Sequence, residues 1–304
     1  MAAVRNGGVN RSLRPSPSLP RLSSSPTHPK MHLPQELVDY IVDFLHDDPR
    51  TLIQGSLVSR AWVGRTRSYL CETLKITRSK HVSSNSSHLP PLCGYVKALH
   101  FTWPGGTTEP PPLLDCFEQS ELHTLVIHSC QLAALNEQTI RRSFAKFPCA
   151  SITTLELHEI SPTRKTLLIL LSLFPNVDDL TISVSRWWEE ISGSDLWEYE
   201  DDEDNDETAQ QISSPRLRGS FKFFDPPGHG HWGFYRGKLL HTLAALPLQF
   251  QTVSLDVKEQ SGNEISTFLN SCSETVRRVF VGQSHRKPRP CIPFAVPHAQ
   301  RVSV

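Results

Sequence analysis

The stretch Ile152-Thr153-Thr154-Leu155-Glu156-Leu157 places apolar residues first, fourth and sixth, and the same spacing returns along most of the chain. Upstream it reads Val96-Lys97-Ala98-Leu99-His100-Phe101 and Leu122-His123-Thr124-Leu125-Val126-Ile127. Downstream it reads Val177-Asp178-Asp179-Leu180-Thr181-Ile182, Phe250-Gln251-Thr252-Val253-Ser254-Leu255 and Val276-Arg277-Arg278-Val279-Phe280-Val281. Each copy ends in the alternation expected of a short strand with one buried face. The series opens where the texture changes at Leu74-Lys75-Ile76, and a weaker copy, slightly out of register, lies at Leu217-Arg218-Gly219-Ser220-Phe221-Lys222-Phe223.

Helical patterns alternate with these strands. Asn136 is placed to cap a helix carrying Ile140, Phe144 and Phe147 and stopped at Pro148. Ser161-Pro162 opens a second, apolar from Leu167 to Phe174 and stopped by Pro175. Leu239, Leu240, Leu243 and Leu246 mark a third, ended by Pro247, and Ile265, Phe268 and Leu269 a fourth. Helix, turn and strand together make a unit of about 25–30 residues, within the range of leucine-rich repeats. One such unit cannot bury its apolar face alone, whereas a stack can. The expected fold is an α/β or α+β solenoid, an irregular leucine-rich-repeat-like array of parallel strands backed by helices; the asparagine or cysteine that usually follows such strands is missing.

Between Ile182 and Leu217 the repeat is interrupted. Eleven carboxylates and no Lys or Arg fall between Glu189 and Glu207, with Trp187, Trp188, Trp197 and Tyr199 among or beside them. An insertion over 185–214 reads either as a solvated, self-repelling segment or as a contact surface built from amphipathic rings beside charge. Residues 1–31 hold five basic residues and no acid, and from Arg277 to the end there are six basic residues and no acid. The overall formal charge is nevertheless zero. Residues 1–30 and 283–304 are expected to be disordered basic tails. They are nearly without aromatic residues, so nucleic acid is not an expected partner.

The longest apolar run, Leu167 to Leu171 extended by Leu173 and Phe174, is far short of the ~20 residues of a membrane span. The seven cysteines are odd in number and contain no C-x-x-C, which points to a reducing compartment, cytoplasmic or nuclear, and away from structural zinc. His229-Gly230-His231 reads as a surface loop rather than a metal site. No phosphate-binding glycine loop, zinc-protease helix or nucleophile elbow is present. No cofactor, metal or catalytic residue is therefore expected.

The segment before the first strand is different in kind. Over Leu33–Leu70, Leu37, Ile41, Phe44 and Leu45 recur at helical spacing after Pro34; Asp47-Asp48-Pro49 then reads as a cap and first-turn proline for a helix with Leu52, Ile53, Leu57 and Val58. A third helix is expected from Ala61 or Trp62 to Leu70. The residues Leu33-Pro34-Gln35-Glu36-Leu37, then Ile41 and Leu45, then Ser56-Leu57-Val58-Ser59-Arg60-Ala61-Trp62 resemble an F-box, above all in the large F-box family of mushroom-forming fungi. Gly55 stands where that family commonly has cysteine, and a glycine inside a helix costs about 1 kcal/mol against alanine, so a bent or weak second helix is expected.

The resemblance covers about forty residues and implies a three-helix F-box, placed here at 31–75, ahead of a repeat domain at 76–282. It implies docking on a Skp-type adaptor, and through it a cullin, by Leu33, Pro34, Leu37, Ile41, Leu45, Val58 and Trp62. It also implies that the repeats present a concave strand face to a protein substrate of a ubiquitin ligase whose catalysis resides in other subunits. Alternation of the strands nominates Thr124, His128, Glu156, His158, Asp179, Thr181, Ser254, Asp256 and Arg278 for substrate contact, with Trp187, Trp188 and Trp197 added from the insertion. Ordinary solvated surface is the alternative for each. The alternative for the whole chain is a repeat scaffold outside ubiquitin transfer, with the N-terminal helices only a cap. No homo-oligomer is expected.

Overall fold

The computed structural model describes residues 33–76, 90–103, 112–130, 132, 135–184, 217–224, 233–256 and 262–282. Both basic tails, the acidic insertion with its tryptophans, and His229 and His231 lie outside the described residues.

Three helices come first: α1 (Gln35–Phe44), α2 (Pro49–Val58) and α3 (Arg60–Leu70). Pro34 occupies the cap position of α1 rather than its first turn, and no side chain caps that end. The Asp48 carboxylate caps α2, accepting from the amides of Arg50 at 3.1 Å and Thr51 at 3.2 Å. Ser59 caps α3, so this helix starts at Arg60, before the expected Ala61 or Trp62. The amide of Ala61 donates to the Ser59 hydroxyl.

Gly55 does not break α2, which runs on to Val58. A Cβ there would lie 3.1 Å from Cε3 of Trp62, so the bare glycine lets the indole of α3 pack against α2. Around this contact Val38, Val42 and Leu52 form a small core, with Leu45, Trp62, Tyr69 and Leu70 against it. Arg65 of α3 grips Asp43 of α1 with both arms of its guanidinium, at 2.6 and 2.8 Å, and Tyr69 donates to the same carboxylate at 2.8 Å. These hydrogen bonds hold the Asp43 carboxyl below its usual value.

An eight-stranded sheet follows, wholly parallel, with each strand paired to the next in sequence. Its members are β1 (Thr73–Ile76), β2 (Ala98–Thr102), β3 (Thr124–His128), β4 (Thr154–Ile160), β5 (Asp179–Val184), β6 (Leu217–Phe224), β7 (Leu248–Asp256) and β8 (Arg278–Gly282). β1 begins at Thr73, one residue ahead of the strand texture expected from Leu74-Lys75-Ile76 and inside the 31–75 range of the F-box expectation. The crossovers carry α4 (Pro90–Cys93), α5 (Glu137–Ser143), α6 (Arg164–Ser172), α7 (Gly233–Ala244) and α8 (Gly262–Ser271). The chain is thus an α/β protein with a helical start.

Register explains why the sequence repeats. Leu99, Leu125, Leu155, Leu180, Phe221 and Val253 lie abreast on neighbouring strands, and Phe101, Ile127, Leu157, Ile182, Phe223 and Leu255 form a second row. All twelve are buried in one core with the inward residues of α5 to α8. Ahead of the strands one carbonyl repeatedly accepts two consecutive amides of the next unit. Glu72 takes those of Lys97 and Ala98, Lys97 those of His123 and Thr124, His123 those of Thr153 and Thr154, and Thr153 those of Asp178 and Asp179. A common way of entering the sheet is therefore reused from β2 to β5.

The pattern breaks at β6. Gly219 has φ +79°, and a Cβ there would collide with the Asp178 carbonyl, while the pairing with β7 slips between Gly219 and Ser220. Against β7 the added residue is Gln251, whereas against β5 it is Gly219, since Arg218 and Ser220 donate to the successive carbonyls of Val177 and Asp178; the latter is the physical form of the out-of-register copy, and glycine is required because only it adopts that φ without strain.

The helices end three to five residues ahead of their prolines, α5 at Ser143 before Pro148, α6 at Ser172 before Pro175 and α7 at Ala244 before Pro247, so Phe144 and Phe147 lie beyond α5. The Asn136 side chain caps α5, accepting from the Thr139 amide at 2.8 Å. Replacing Asn136 by alanine is expected to cost about 1 kcal/mol in chemical denaturation; no loss would mean the cap carries nothing. The second cap is Thr163, not Ser161-Pro162. Its hydroxyl receives the Thr166 amide, and the Thr166 hydroxyl receives the Thr163 amide, a reciprocal capping box.

Candidate interaction surfaces

Helix α1 carries two apolar stripes, and its small neighbours cover only one. Val38 and Val42 are buried, whereas Leu37 and Ile41 are exposed and Phe44 is 81% exposed. Of the four apolar residues at helical spacing, Leu37, Ile41, Phe44 and Leu45, only Leu45 turns to the small core. Tyr40 on α1, and Ile53, Leu57 and Val58 on α2, are also open to solvent, Leu57 at 82%. Among the described residues, eight of the ten exposed large hydrophobic side chains lie between Leu33 and Val58. Of the adaptor candidates, Leu33, Pro34, Leu37, Ile41 and Val58 are exposed, while Leu45 and Trp62 are half-buried and pack on the small core. Tyr40, Phe44, Ile53 and Leu57 belong with the exposed set but were absent from the candidates, because sequence alone does not say which of two apolar stripes a three-helix unit buries.

The second surface is the strand face opposite the core, where the nine residues nominated by alternation all lie. Thr124, Asp179 and Arg278 fall in a first row, Glu156, Thr181 and Ser254 in a second, and His128, His158 and Asp256 at the C-terminal end of their strands. Thr181 is the exception in availability. It is only 8% exposed, flanked in register by the longer Glu156 and Lys222, and is withdrawn as a contact residue. Asp179 is exposed and accepts a hydrogen bond from the Ser220 hydroxyl.

A histidine stack, its first member missed by the nominations, occupies β2 to β4. The ring of His128 lies 5.0 Å from that of His158 and 6.4 Å from that of His100, both nearly parallel. The His158 Nε2 is 2.9 Å from Oε2 of Glu156. Immediately after His128 and His158 come Ser129 and Glu159, the two non-glycine residues with positive φ among those described, at 52° and 54°. The Ser129 hydroxyl donates to Glu159 Oε2 at 2.9 Å, and β4 bulges between Leu157 and Ile160. His128 and His158 stand at paired places of Val126-Ile127-His128 and Glu156-Leu157-His158, whereas His100 pairs with Val126 and meets His128 on the diagonal.

Burial, and then the charge of Lys75, hold the His100 imidazole below its ordinary value; burial, then His158 and His100, do the same for His128. In the unfolded chain both would protonate near pH 6.5, before they do in the folded state. Below that pH the unfolded chain therefore binds more protons, and stability falls as the pH drops through the window down to the lower folded values. A His100→Gln, His128→Gln variant is expected to lose less stability between pH 7 and pH 5 in urea unfolding. An unchanged loss would place the acid sensitivity elsewhere.

The stack is not arranged as a metal centre. Parallel rings set their in-plane nitrogens side by side rather than converging, and no group of three or more His, Cys, Asp or Glu suited to a metal ion occurs among the described residues. Burial pushes the thiols of Cys93 up to about 11 and of Cys149 and Cys272 up to about 12, so these are not nucleophilic thiolates at neutral pH. What this geometry offers chemically is recognition: an uncovered apolar helix face and a polar, imidazole-rich sheet face.

No family model matches the chain, and no curated protein matches it. The class rests on the structure itself: an α/β protein with an all-parallel sheet in sequential strand order behind three short helices. None of the helices described is long and apolar enough to cross a membrane.

Proposed function

We propose that this protein is the substrate-recognition subunit of a Skp/cullin/F-box-type ubiquitin ligase. The observation that carries the reading is the concentration of exposed apolar side chains on α1 and α2. A folded chain with a well-filled core elsewhere does not leave Phe44, Leu57 and Val58 in water without a partner to cover them. That face lies on the segment whose Leu-Pro-Gln-Glu-Leu start and Val-Ser-Arg-Ala-Trp end resemble an F-box. The exposed residues Leu33, Leu37, Ile41 and Val58 dock on the Skp-type adaptor, with Tyr40, Phe44, Ile53 and Leu57 extending the contact. Leu45 and Trp62 hold the helices together beneath it.

The in-order parallel strands support a leucine-rich-repeat-like solenoid as the substrate-binding part. Its role is proximity: holding a substrate near a ubiquitin-charged enzyme raises the effective concentration without any chemistry in this chain. The chain needs no cofactor for this, and it acts in the cytoplasm or nucleus. The test is co-purification of the full chain with a Skp-type adaptor from a mushroom-forming fungus. A stoichiometric complex on gel filtration is expected; a folded monomer that leaves the adaptor free would instead make the protein a repeat scaffold with a helical cap.

A further inference from the structure

Among the described residues, the two exposed large hydrophobic side chains outside the helical unit, Phe224 at 41% and Phe280 at 42%, both lie on the strand face that carries the histidine stack. Phe224 pairs with Asp256 and Phe280 with Ser254, so they occupy the outward positions of β6 and β8. The carboxylates Glu156 and Glu159 lie on β4 beside His158, the last ring of the stack that runs over β2 to β4. These three features are thus spaced two strands apart, and neighbouring strands are about 4.8 Å apart. An extended segment crossing the strands advances about 3.3 Å per residue, so about three of its residues span each step of roughly 10 Å.

The chemistry differs along that line. At β4, Glu156 and Glu159 each accept one hydrogen bond from within the face, and a carboxylate has room for more. Beside them are flat imidazoles. A planar cation that stacks on rings while pairing with carboxylates is an arginine guanidinium, with lysine the weaker substitute. Among the described residues, the other charged groups on the face are Lys75 on β1, Asp179 on β5, Lys222 on β6, Asp256 on β7 and Arg278 on β8. Lys75 and Lys222 flank the β4 site from two or more strands away. A basic group is therefore favoured over β4, with Asp179 of the adjoining β5 also acidic, and disfavoured farther out at Lys75 and Lys222, which limits its register. At β6 and β8 the exposed phenyl rings call for apolar side chains.

We infer that the uncovered strand face binds an extended segment of a partner protein carrying one arginine or lysine over Glu156, Glu159 and the stacked His128 and His158, followed or preceded at about three-residue spacing by apolar residues seated on Phe224 and Phe280. This rests on the proposed function only in naming that partner a substrate; the binding itself does not.

The test is selection of peptides from a random twelve-residue display library on the immobilised full chain. The expected consensus is a basic residue with an apolar residue about three positions away, and a second about three beyond. Glu156→Gln with Glu159→Gln is expected to erase the basic preference and keep the apolar one, and Phe224→Ser with Phe280→Ser to do the reverse. An acidic consensus, no enrichment, or the same consensus from every variant would overturn the inference. So would a consensus seen only after residues 283–304 are removed, since the occupant would then be the chain's own basic segment. Adaptor binding is measured on the same preparations. Adaptor bound without a consensus sinks this inference alone, whereas a consensus without adaptor sinks only the ubiquitin role.

Discussion

Phe221→Ala is expected to destabilise the protein by about 3–5 kcal/mol, the range for removing a fully buried phenyl ring. The ring is 0% exposed and sits in the inner row of the sheet between Leu180 on β5 and Val253 on β7. It stacks on Phe250 at 5.3 Å and meets Phe268 of α8 at 5.1 Å, so it joins strand to strand and sheet to helix. Truncation leaves a cavity that neighbours on three elements would have to shift to fill. Domains are stable by only about 5–15 kcal/mol in total, so the loss is a large share. The control is Phe224→Ala, three residues along the same strand but on the opposite face, for which a change under about 1 kcal/mol is expected. Urea unfolding of the two variants reads the strand register directly. A slip of one residue would exchange inner and outer sets, and a larger loss at Phe224 than at Phe221 would show that the register is wrong.

The largest expected effect on binding comes from Leu37→Glu with Ile41→Glu. Each places a charge on the face of α1 where an apolar partner surface would have to desolvate it, at a cost of several kcal/mol without a counter-charge. Adaptor affinity is therefore expected to fall more than 100-fold. Because both side chains are exposed in the free protein, unlike Val38 and Val42, stability should change by under about 1 kcal/mol. That combination separates docking from folding. A variant that still binds would remove α1 from the interface, and one that unfolds would show that this stripe is packed against the protein itself.

Much of the α/β framework was legible because parallel strands covered by helices repeat the same pair of buried positions, and every quoted copy from Val96 to Val281 became a strand at the expected place. The weak copy at Leu217 was legible too, including its displacement, since the extra residue at Gly219 shifts the pattern visibly. What the sequence hid depended on neighbours. Which stripe of α1 is buried is decided by Leu52 and Trp62, residues on other helices. Gly55 reads as a helix defect until Trp62 is found against it. Thr181 alternates outward like Asp179, and only the side chains flanking it on β4 and β6 explain its burial. His100 was overlooked because strand alternation treats each strand separately, whereas the stack exists only across three strands. Ser59 and Thr163 were passed over as caps because a hydroxyl residue one position away from a proline or an arginine is an equally good candidate by composition.

The central claim is that the exposed face of α1 and α2 is a docking surface, and amide hydrogen exchange of the full chain with and without a Skp-type adaptor tests it most directly. The predicted result is added protection at amides of residues 35–58, with the strands β2 to β8 unchanged. Protection confined to the strands, or no change anywhere at adaptor concentrations that saturate an authentic F-box protein, would contradict it.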